Sequence, residues 1–270
     1  MSSLENNVLE EAESKHYVFQ QECYSGGSKK LQNMLLLYHN RIKDYYWNYA
    51  TKLNIDEKSL RKIIGEIIDF YTDLNRQPTI YLTPFSRPKN LPELIKTFGF
   101  QSKYRDAWMF YDNSTPRIEL PEGFTIRRVE SKDEMKVFVE IFNQSYSGAT
   151  PEEPWGALPK EYGECLFDSF KNSGKDKTVV NFLGFFKGNP VGIATLIYSG
   201  KFGVIYNVGT IPQLRKKGIG AALTLNAVSD SIKNNARIIF LQTEDGSYNE
   251  AYYKKLGFST RFVGEGFCRD

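Results

Sequence analysis

The sequence predicts an α/β (α+β) fold built from two tandem copies of a mixed, mostly antiparallel sheet flanked by helices, with only the second copy complete. Short apolar runs typical of strands alternate with runs of helical periodicity. The turn Lys187-Gly188-Asn189-Pro190 indicates a β-hairpin. The two halves also end in tails of similar order. We therefore assign residues 1–112 to the first copy and residues 113–270 to the second.

The internal repeat is visible in the two tails. The segments Lys96–Asp112 and Lys254–Asp270 each run from a lysine through a Gly-Phe pair and a basic-aromatic pair to an aspartate. The two Gly-Phe pairs lie 158 residues apart, and the strand-like runs Ile80–Leu82 and Ile239–Leu241 upstream lie 159 apart. The matching order favours duplication over chance similarity.

The first copy is predicted to begin with paired strands at 33–38 and 45–51, which are rich in Tyr, Trp and Leu. An amphipathic helix follows over Asp56–Leu74, because its apolar side chains recur at spacings of three and four residues. Pro78 then introduces a strand, and residues 91–97 form a short helix. This copy is shorter than the second one.

The second copy follows a linker marked by Asn113–Pro116 and Pro121–Gly123. Its strands are predicted at 124–129, 179–186, 191–198, 203–209 and 237–242, with a last strand from 259. Its helices are predicted at 131–145, 159–172, 217–233 and 249–256. This half thus mixes strands and helices, as in the predicted fold class.

A basic, glycine-spaced turn, Arg215–Ala221, lies between a predicted strand and a predicted helix. Unpaired amides and the helix dipole make such a turn suitable for a phosphate or pyrophosphate. Gly218 and Gly220 allow close approach to the backbone. The alternative is a plain strand-to-helix connection. The dinucleotide fingerprint fails because Leu223 replaces its third glycine, and no P-loop pattern is present.

Several segments together resemble the GNAT superfamily of N-acetyltransferases. Val208–Gly220 resembles its acetyl-CoA loop, and Tyr253–Phe258 resembles its late Tyr-x-x-Leu-Gly-Phe signature. Phe124–Val129, Phe182–Gly192 and Ile238–Gln242 resemble its first strand, its central hairpin and the strand after the loop. These segments stand in family order between about residues 122 and 262. The resemblance implies a tandem GNAT-like protein with a degenerate N-terminal copy.

The resemblance implies an acyltransferase that moves an acetyl group from acetyl-CoA to a primary amine by direct attack. Acetyl-CoA is then a co-substrate, and no metal is expected. Ile64 and Glu66 occupy the place of the loop in the first copy, where an isoleucine replaces a glycine and a carboxylate repels phosphate. We therefore expect the first copy to bind no cofactor.

The resemblance also implies a set of cofactor-binding residues. Val208, Gly209 and Thr210 would pair with the pantetheine arm, and the Val208 amide would face the reacting oxygen. The amides of Lys216, Lys217, Gly218, Ile219, Gly220 and Ala221 would surround the pyrophosphate. Lys216 and Lys217 either add charge or are solvated surface lysines. Arg215 is a further candidate, although in the family this side chain often has a structural role.

Two residues of the late helix are candidates by resemblance. By this resemblance, Tyr253 matches the family's general acid. A phenol with a pKa of about 10 stays protonated at neutral pH and can therefore donate a proton. Its alternative role is core packing, and Tyr252, expected on another face, is the natural control. Asn249 resembles a cofactor-contacting asparagine, but that residue usually stands at Gly246. Asn249 is therefore equally interpretable as an N-cap.

The sequence does not identify the general base. Val204 stands where some family members carry a glutamate, and valine accepts no proton. Glu152, Glu153, Glu244 or a chain of water molecules are the alternatives. The segment Tyr146–Trp155 would lie near the acceptor by family analogy, or it is a plain surface loop.

Composition excludes other classes. The net charge of +3 is too small to indicate nucleic acid or a membrane surface as a partner. Both histidines, His16 and His39, lie far from the motifs in sequence, which disfavours a Ser-His-Asp triad or a histidine-rich zinc site. Three scattered cysteines indicate reduced thiols. The N-terminus lacks an apolar signal-peptide core, and no run is long enough to span a bilayer.

We therefore expect a cytoplasmic monomer or homodimer that acts on a small-molecule or protein amine. The alternative is a non-catalytic module that binds CoA or a protein partner and keeps the fold. The missing glutamate favours this alternative, whereas the intact loop and Tyr253 oppose it.

Overall fold

The computed structural model describes residues 3–113, 121–148, 157–172 and 179–270. These residues contain seven α-helices and eleven strands. Most strand pairs are antiparallel, and helices are interspersed among the strands along the chain. The predicted α/β class with a mixed, mostly antiparallel sheet is therefore confirmed.

The described residues form two compact units. The first comprises residues 1–25, 110–241 and 251–259. The elements that lie within it are α1 (Ser3–Tyr24), β6 (Phe124–Arg128), α4 (Lys132–Ser145), α5 (Glu161–Asn172), β7 (Val179–Phe186), β8 (Asn189–Ser199), β9 (Phe202–Thr210), α6 (Ile219–Lys233) and the start of β10 (Ile238–Glu244). Its strands follow the order β10-β9-β8-β7-β6, and only the β9–β10 pair is parallel.

The second unit comprises residues 26–109, 242–250 and 260–270. It contains β1 (Gly27–Lys30), β2 (Leu35–Tyr38), β3 (Tyr49–Thr51), α2 (Leu60–Asp73), β4 (Thr79–Leu82), α3 (Leu91–Lys96), most of β5 (Gln101–Tyr111) and most of β11 (Phe258–Cys268). Helix α7 (Tyr248–Lys255) begins in this unit. Its strands follow the order β1-β2-β3-β4-β11-β5.

The helices form where periodicity and capping predict them. In α2 the buried face consists of Leu60, Ile63, Ile64, Ile67 and Tyr71, which repeat at helical spacing. Helix α4 starts with a capping box, in which Ser131 accepts the Glu134 amide and the Glu134 carboxylate accepts the Ser131 amide.

The predicted hairpin between β7 and β8 is also present. Phe186 pairs with Asn189, and the two intervening residues, Lys187 and Gly188, have φ values of 51° and 80°. A two-residue turn with both φ values positive matches the right-handed twist of the paired strands. The turn chemistry thus fixes the register of this hairpin.

The first predicted strand pair is shorter than expected. Residues between β2 and β3 form a loop held by Asn48, whose amide donates to the carbonyls of Ile42 and Asp44. The amide oxygen of Asn48 in turn accepts the N–H of His39. These side-chain bonds satisfy backbone groups that a strand would otherwise pair, so the ladder starts only at Tyr49.

The repeated tails have the same local structure. In each, a short helix is followed by a glycine with positive φ and then by an eleven-residue strand, β5 or β11. Gly99 and Gly257 have φ values of 86° and 87°. The end of β11 pairs antiparallel with β4, so the C-terminal residues belong to the second unit. The boundary at 112/113 remains a prediction about the two repeats.

Helix α1 was not predicted. Its buried positions mix apolar side chains with Glu13, His16 and Gln20, which weakens the helical pattern. It packs against α5 and β9 in the first unit. All three cysteines are free and buried, as expected from their spacing. In the described part of the chain, no helix has both the length and the apolar character needed to cross a bilayer.

Candidate active site

The predicted anion-binding turn joins β9 to α6 through a short 3₁₀ turn, Pro212–Leu214. Gly218 is the N-cap of α6 with φ of 78°, and no side chain caps the helix there. The first bond of the helix runs from the Ala222 amide to the Gly218 carbonyl, at 2.9 Å. The amides of Ile219, Gly220 and Ala221 therefore precede this bond and point out of the N-terminal end of the helix.

Gly220 lies in a confined position. A Cβ atom at this residue would stand 3.1 Å from the hydroxyl of Tyr252 and 3.6 Å from the Thr210 hydroxyl. The absence of a side chain therefore keeps the mouth of the turn open. This geometry also places the Tyr252 hydroxyl beside the turn, so Tyr252→Phe is a poor control for Tyr253.

The basic side chains of the turn differ in their surroundings. Arg215 donates from Nε to the Thr210 carbonyl at 3.2 Å and from Nη2 to the Ser145 carbonyl at 2.7 Å. Its guanidinium therefore ties the turn to β9 and α4. Lys216 and Lys217 are exposed. The arginine thus has the structural role that the resemblance allowed.

Strand β9 carries a bulge next to the turn. Tyr206 pairs with Thr195 and Gly209 with Ile193, so Asn207 and Val208 face a single residue of β8. A Cβ at Gly209 would stand 2.7 Å from the Ser145 Cβ, so α4 approaches the backbone of β9 closely at this residue. On its other edge, β9 pairs with β10 only as far as Val204. The Val208–Thr210 edge thus lies beyond this pairing.

Tyr253 lies on α7 and is half-buried. Its ring packs edge-on against Phe258 at 6.0 Å and against Tyr252 at 5.1 Å. Burial raises the pKa of the Tyr253 phenol above its ordinary value. The hydroxyl therefore keeps its proton across the neutral pH range, which is what a general acid needs.

Asn249 is not the cap of α7. The Ser247 hydroxyl accepts the Glu250 amide at 3.2 Å, so Ser247 has the capping role and Asn249 follows it in the first turn. The Glu250 carboxylate accepts the Gly246 amide at 2.7 Å and the Thr260 hydroxyl at 2.6 Å. Of the two interpretations of Asn249, the N-cap is therefore wrong, and cofactor contact stays a prediction.

The residues considered as the general base lie in different surroundings. Val204 is completely buried and carries no titratable group. Glu244 ends β10 and is exposed. Glu152 and Glu153 lie outside the described residues, as does most of the segment Tyr146–Trp155.

A carboxyl with a shifted pKa lies on β5 in the second unit. Burial raises the pKa of Asp106 to about 7, and the charges of Glu244 and Asp245 add to this effect. A hydrogen bond from Tyr81 lowers the pKa in part. The ring of Tyr46 also lies within electrostatic range of Asp106.

Replacing Asp106 by asparagine should stabilise the protein above neutral pH. A folded pKa of about 7, against an ordinary value of 3.8, means that the free energy of unfolding falls as pH rises between these values. The asparagine variant has no carboxyl group at this position, so its free energy of unfolding does not fall in this way. Its melting temperature should exceed that of the wild type at about pH 8, with a smaller difference at about pH 5.

Thermal unfolding at the two pH values measures this effect. Asp69→Asn, the same change at an exposed position of α2, serves as the control and should show no such pH-dependent gain. An Asp106→Asn variant whose melting temperature differs equally from the wild type at both pH values would contradict the shifted pKa.

The sequence did not reveal a polar network around the bulge of β9. Tyr24 of α1 donates a hydrogen bond to the side-chain oxygen of Asn207. The hydroxyl of Tyr206 lies 2.8 Å from Nδ1 of His16. Burial lowers the pKa of His16 to about 3, so this ring is neutral. His16 is distant from the motifs in sequence but adjacent to β9 in space.

Comparison with known proteins agrees with this geometry. The family model described as the acetyltransferase (GNAT) family matches residues 139–258. This segment includes the hairpin, β9, the turn and α6, and it ends at the Gly-Phe pair after α7. An uncharacterized N-acetyltransferase of Methanocaldococcus jannaschii is 24% identical over 221 residues, which covers 76% of this chain and 87% of that protein.

Solved structures show the same fold. A GCN5-related N-acetyltransferase from Kribbella flavida has a TM-score of 0.71 at 17% identity, covering 96% of this chain and 95% of its own. A tandem GNAT protein from the clavulanic acid biosynthesis pathway has a TM-score of 0.59 at 10% identity, covering 87% and 77%. Residues 139–258 therefore match the GNAT acetyltransferase family, and the chain shares the fold of these solved structures.

Proposed function

We propose that the chain is an N-acetyltransferase that transfers an acetyl group from acetyl-CoA to the primary amine of an acceptor. The observation that carries this proposal is the N-terminus of α6, which begins at Gly218 and includes Gly220 in its first turn. No side chain caps this end of the helix, and it lies next to the bulged end of β9. The amides of Ile219, Gly220 and Ala221 suit the pyrophosphate, because they combine unpaired donors with the positive end of a helix dipole.

Each remaining step is assigned to named residues of the chain. Acetyl-CoA supplies the activated acyl thioester. The edge of Val208–Thr210 pairs with the pantetheine arm as an additional strand, and the Val208 amide donates to the oxygen on which charge develops. A donor of this kind typically lowers the barrier by about 3 kcal/mol. Lys216, Lys217 and Asn249 add contacts to the cofactor.

Tyr253 completes the proposed reaction as the general acid. Its phenol holds a proton at neutral pH and gives it to the departing sulfur. The amine attacks the thioester directly. Val204 cannot accept the proton of the amine. A carboxylate elsewhere or a chain of water molecules therefore accepts it.

We expect the first repeat not to bind the cofactor. Ile64 is completely buried in the core face of α2. Glu66 lies on the same helix, and its Oε1 is 3.9 Å from Nζ of Lys62. The corresponding segment is thus the interior of a helix rather than the open end of one, and its amides are engaged in helical hydrogen bonds. We propose that this repeat is a degenerate copy without a cofactor.

Calorimetric titration with acetyl-CoA should therefore give one site per chain. The heat of binding and the stoichiometry are measured in the same experiment. Two equivalent sites would contradict the degenerate copy, and no binding at all would contradict the proposed role of the turn.

The alternative is a non-catalytic module that binds CoA or a protein partner. The valine at position 204 favours it, since this position carries no proton acceptor. The enzyme and a CoA-binding module both bind acetyl-CoA, so turnover separates these two. A module that binds only a protein partner would not bind acetyl-CoA. A cytoplasmic location and a monomeric or homodimeric state remain parts of the proposal that rest on the sequence.

A further inference from the structure

The bulge of β9 requires an unusual backbone conformation. Asn207 has φ of 52°, in the left-handed region that non-glycine residues rarely occupy. Asparagine tolerates this region better than most residues, because its side chain forms local polar contacts. The residue stands immediately before Val208, whose amide is the proposed oxyanion donor. The direction of that amide therefore depends on how firmly Asn207 is held.

The side chain of Asn207 is held by residues of two elements, α1 and β8. Its oxygen accepts the hydroxyl of Tyr24 from α1. Its nitrogen donates to the Thr195 hydroxyl on β8 at 3.1 Å and to the Cys23 sulfur at 3.6 Å. Thr195 in turn donates to the side-chain oxygen of buried Asn181 on β7, at 2.7 Å. The contacts thus use both ends of the amide and fix its orientation.

The flanking residues of the bulge are held in a similar way. The Tyr146 hydroxyl donates to the Val208 carbonyl at 3.0 Å, and Tyr206 forms its hydrogen bond with His16. Three consecutive residues of β9 are therefore each tied to a side chain from a helix or from the end of one. Two of these three contacts come from α1, which precedes all the strands in the sequence.

We infer that Tyr24 and Asn207 form a positioning pair that sets the direction of the Val208 amide, so that α1 is part of the catalytic apparatus. The inference rests on the proposed acetyl transfer. Neither side chain is assigned a contact with acetyl-CoA or the acceptor. Because the pair acts on an amide used mainly in the transition state, its loss should lower kcat more than it weakens acetyl-CoA binding.

Tyr24→Phe tests the pair by removing only the hydroxyl. We expect kcat to fall by about 10-fold, less than the complete loss of an oxyanion donor, while the Kd for acetyl-CoA changes by less than about 2-fold. Asn207→Gly keeps access to the left-handed backbone but removes the side chain, and it should lower kcat at least as much. Turnover with an amine substrate and calorimetry with acetyl-CoA give the two quantities.

Tyr17→Phe is the matched control. Tyr17 is a buried tyrosine of the same helix, and its hydroxyl donates to Glu13 within α1 at 2.9 Å. A merely structural role of α1 would make the two phenylalanine variants alike. If the wild type acetylates the amine and Tyr24→Phe has the same kcat, the positioning pair is contradicted, whereas the proposed acetyl transfer stands. Absence of wild-type turnover would overturn the proposed function, and the inference with it.

Discussion

Replacing Gly220 by glutamate is expected to raise the Kd for acetyl-CoA by at least about 100-fold, equivalent to about 2.8 kcal/mol. The new Cβ would stand 3.1 Å from the Tyr252 hydroxyl, so the side chain must turn into the mouth of the turn. Its carboxylate would then lie beside the amides that bind the pyrophosphate. Steric blocking and charge repulsion act in the same direction at this helix N-terminus.

Gly65→Glu provides a control with the same change of residue and charge. Gly65 lies in α2, and a Cβ there would have no neighbour within 4 Å. This variant should bind acetyl-CoA like the wild type. Circular dichroism and thermal unfolding establish that both variants are folded. A folded Gly220→Glu protein with unchanged affinity would remove the turn from the cofactor site.

Tyr253→Phe is expected to lower kcat by about 10²–10⁴-fold, the usual effect of losing a general acid. The KM for acetyl-CoA should change much less. The ring contacts with Tyr252 and Phe258 survive the substitution, and only the hydroxyl that protonates the sulfur is lost. Steady-state kinetics with varied acetyl-CoA separates the two parameters.

The control for this variant must lie away from the turn. Tyr252 is unsuitable, because its hydroxyl adjoins the Gly220 backbone, and Tyr252→Phe should act on acetyl-CoA affinity instead. Tyr248 begins the same helix and is 59% exposed, so Tyr248→Phe should be nearly silent. Full kcat in Tyr253→Phe, or equal effects of Tyr248→Phe and Tyr253→Phe, would show that the thiolate leaves without help from Tyr253.

Local chemistry made much of the first unit predictable. The positive φ values of Lys187 and Gly188 follow from a two-residue turn, and the start of α4 follows from the capping box at Ser131. The turn before α6 was visible because its glycines, its basic residues and the flanking periodicities are contiguous in sequence. Each of these features depends on residues only a few positions apart.

Contacts between distant segments were not predictable in the same way. Tyr24 and Asn207 are 183 residues apart, and His16 and Tyr206 are 190 apart. The polar residues on the buried face of α1 obscured its helical pattern, although one of them, His16, forms the hydrogen bond with Tyr206 of β9. The position of the Tyr252 hydroxyl beside the turn likewise depends on how α7 packs. Residue spacing alone does not determine that packing.

Acetyl-CoA consumption with a panel of primary amines, followed by mass spectrometry of the products, tests the central proposal most directly. The panel contains small amines, amino acids and peptides with free amino groups, and the Gly220→Glu variant serves as the negative control. We predict that at least one amine gains a single acetyl group in the presence of the wild type and not of the variant. A wild-type protein that binds acetyl-CoA at one site but acetylates no amine would contradict the enzyme and favour the non-catalytic module.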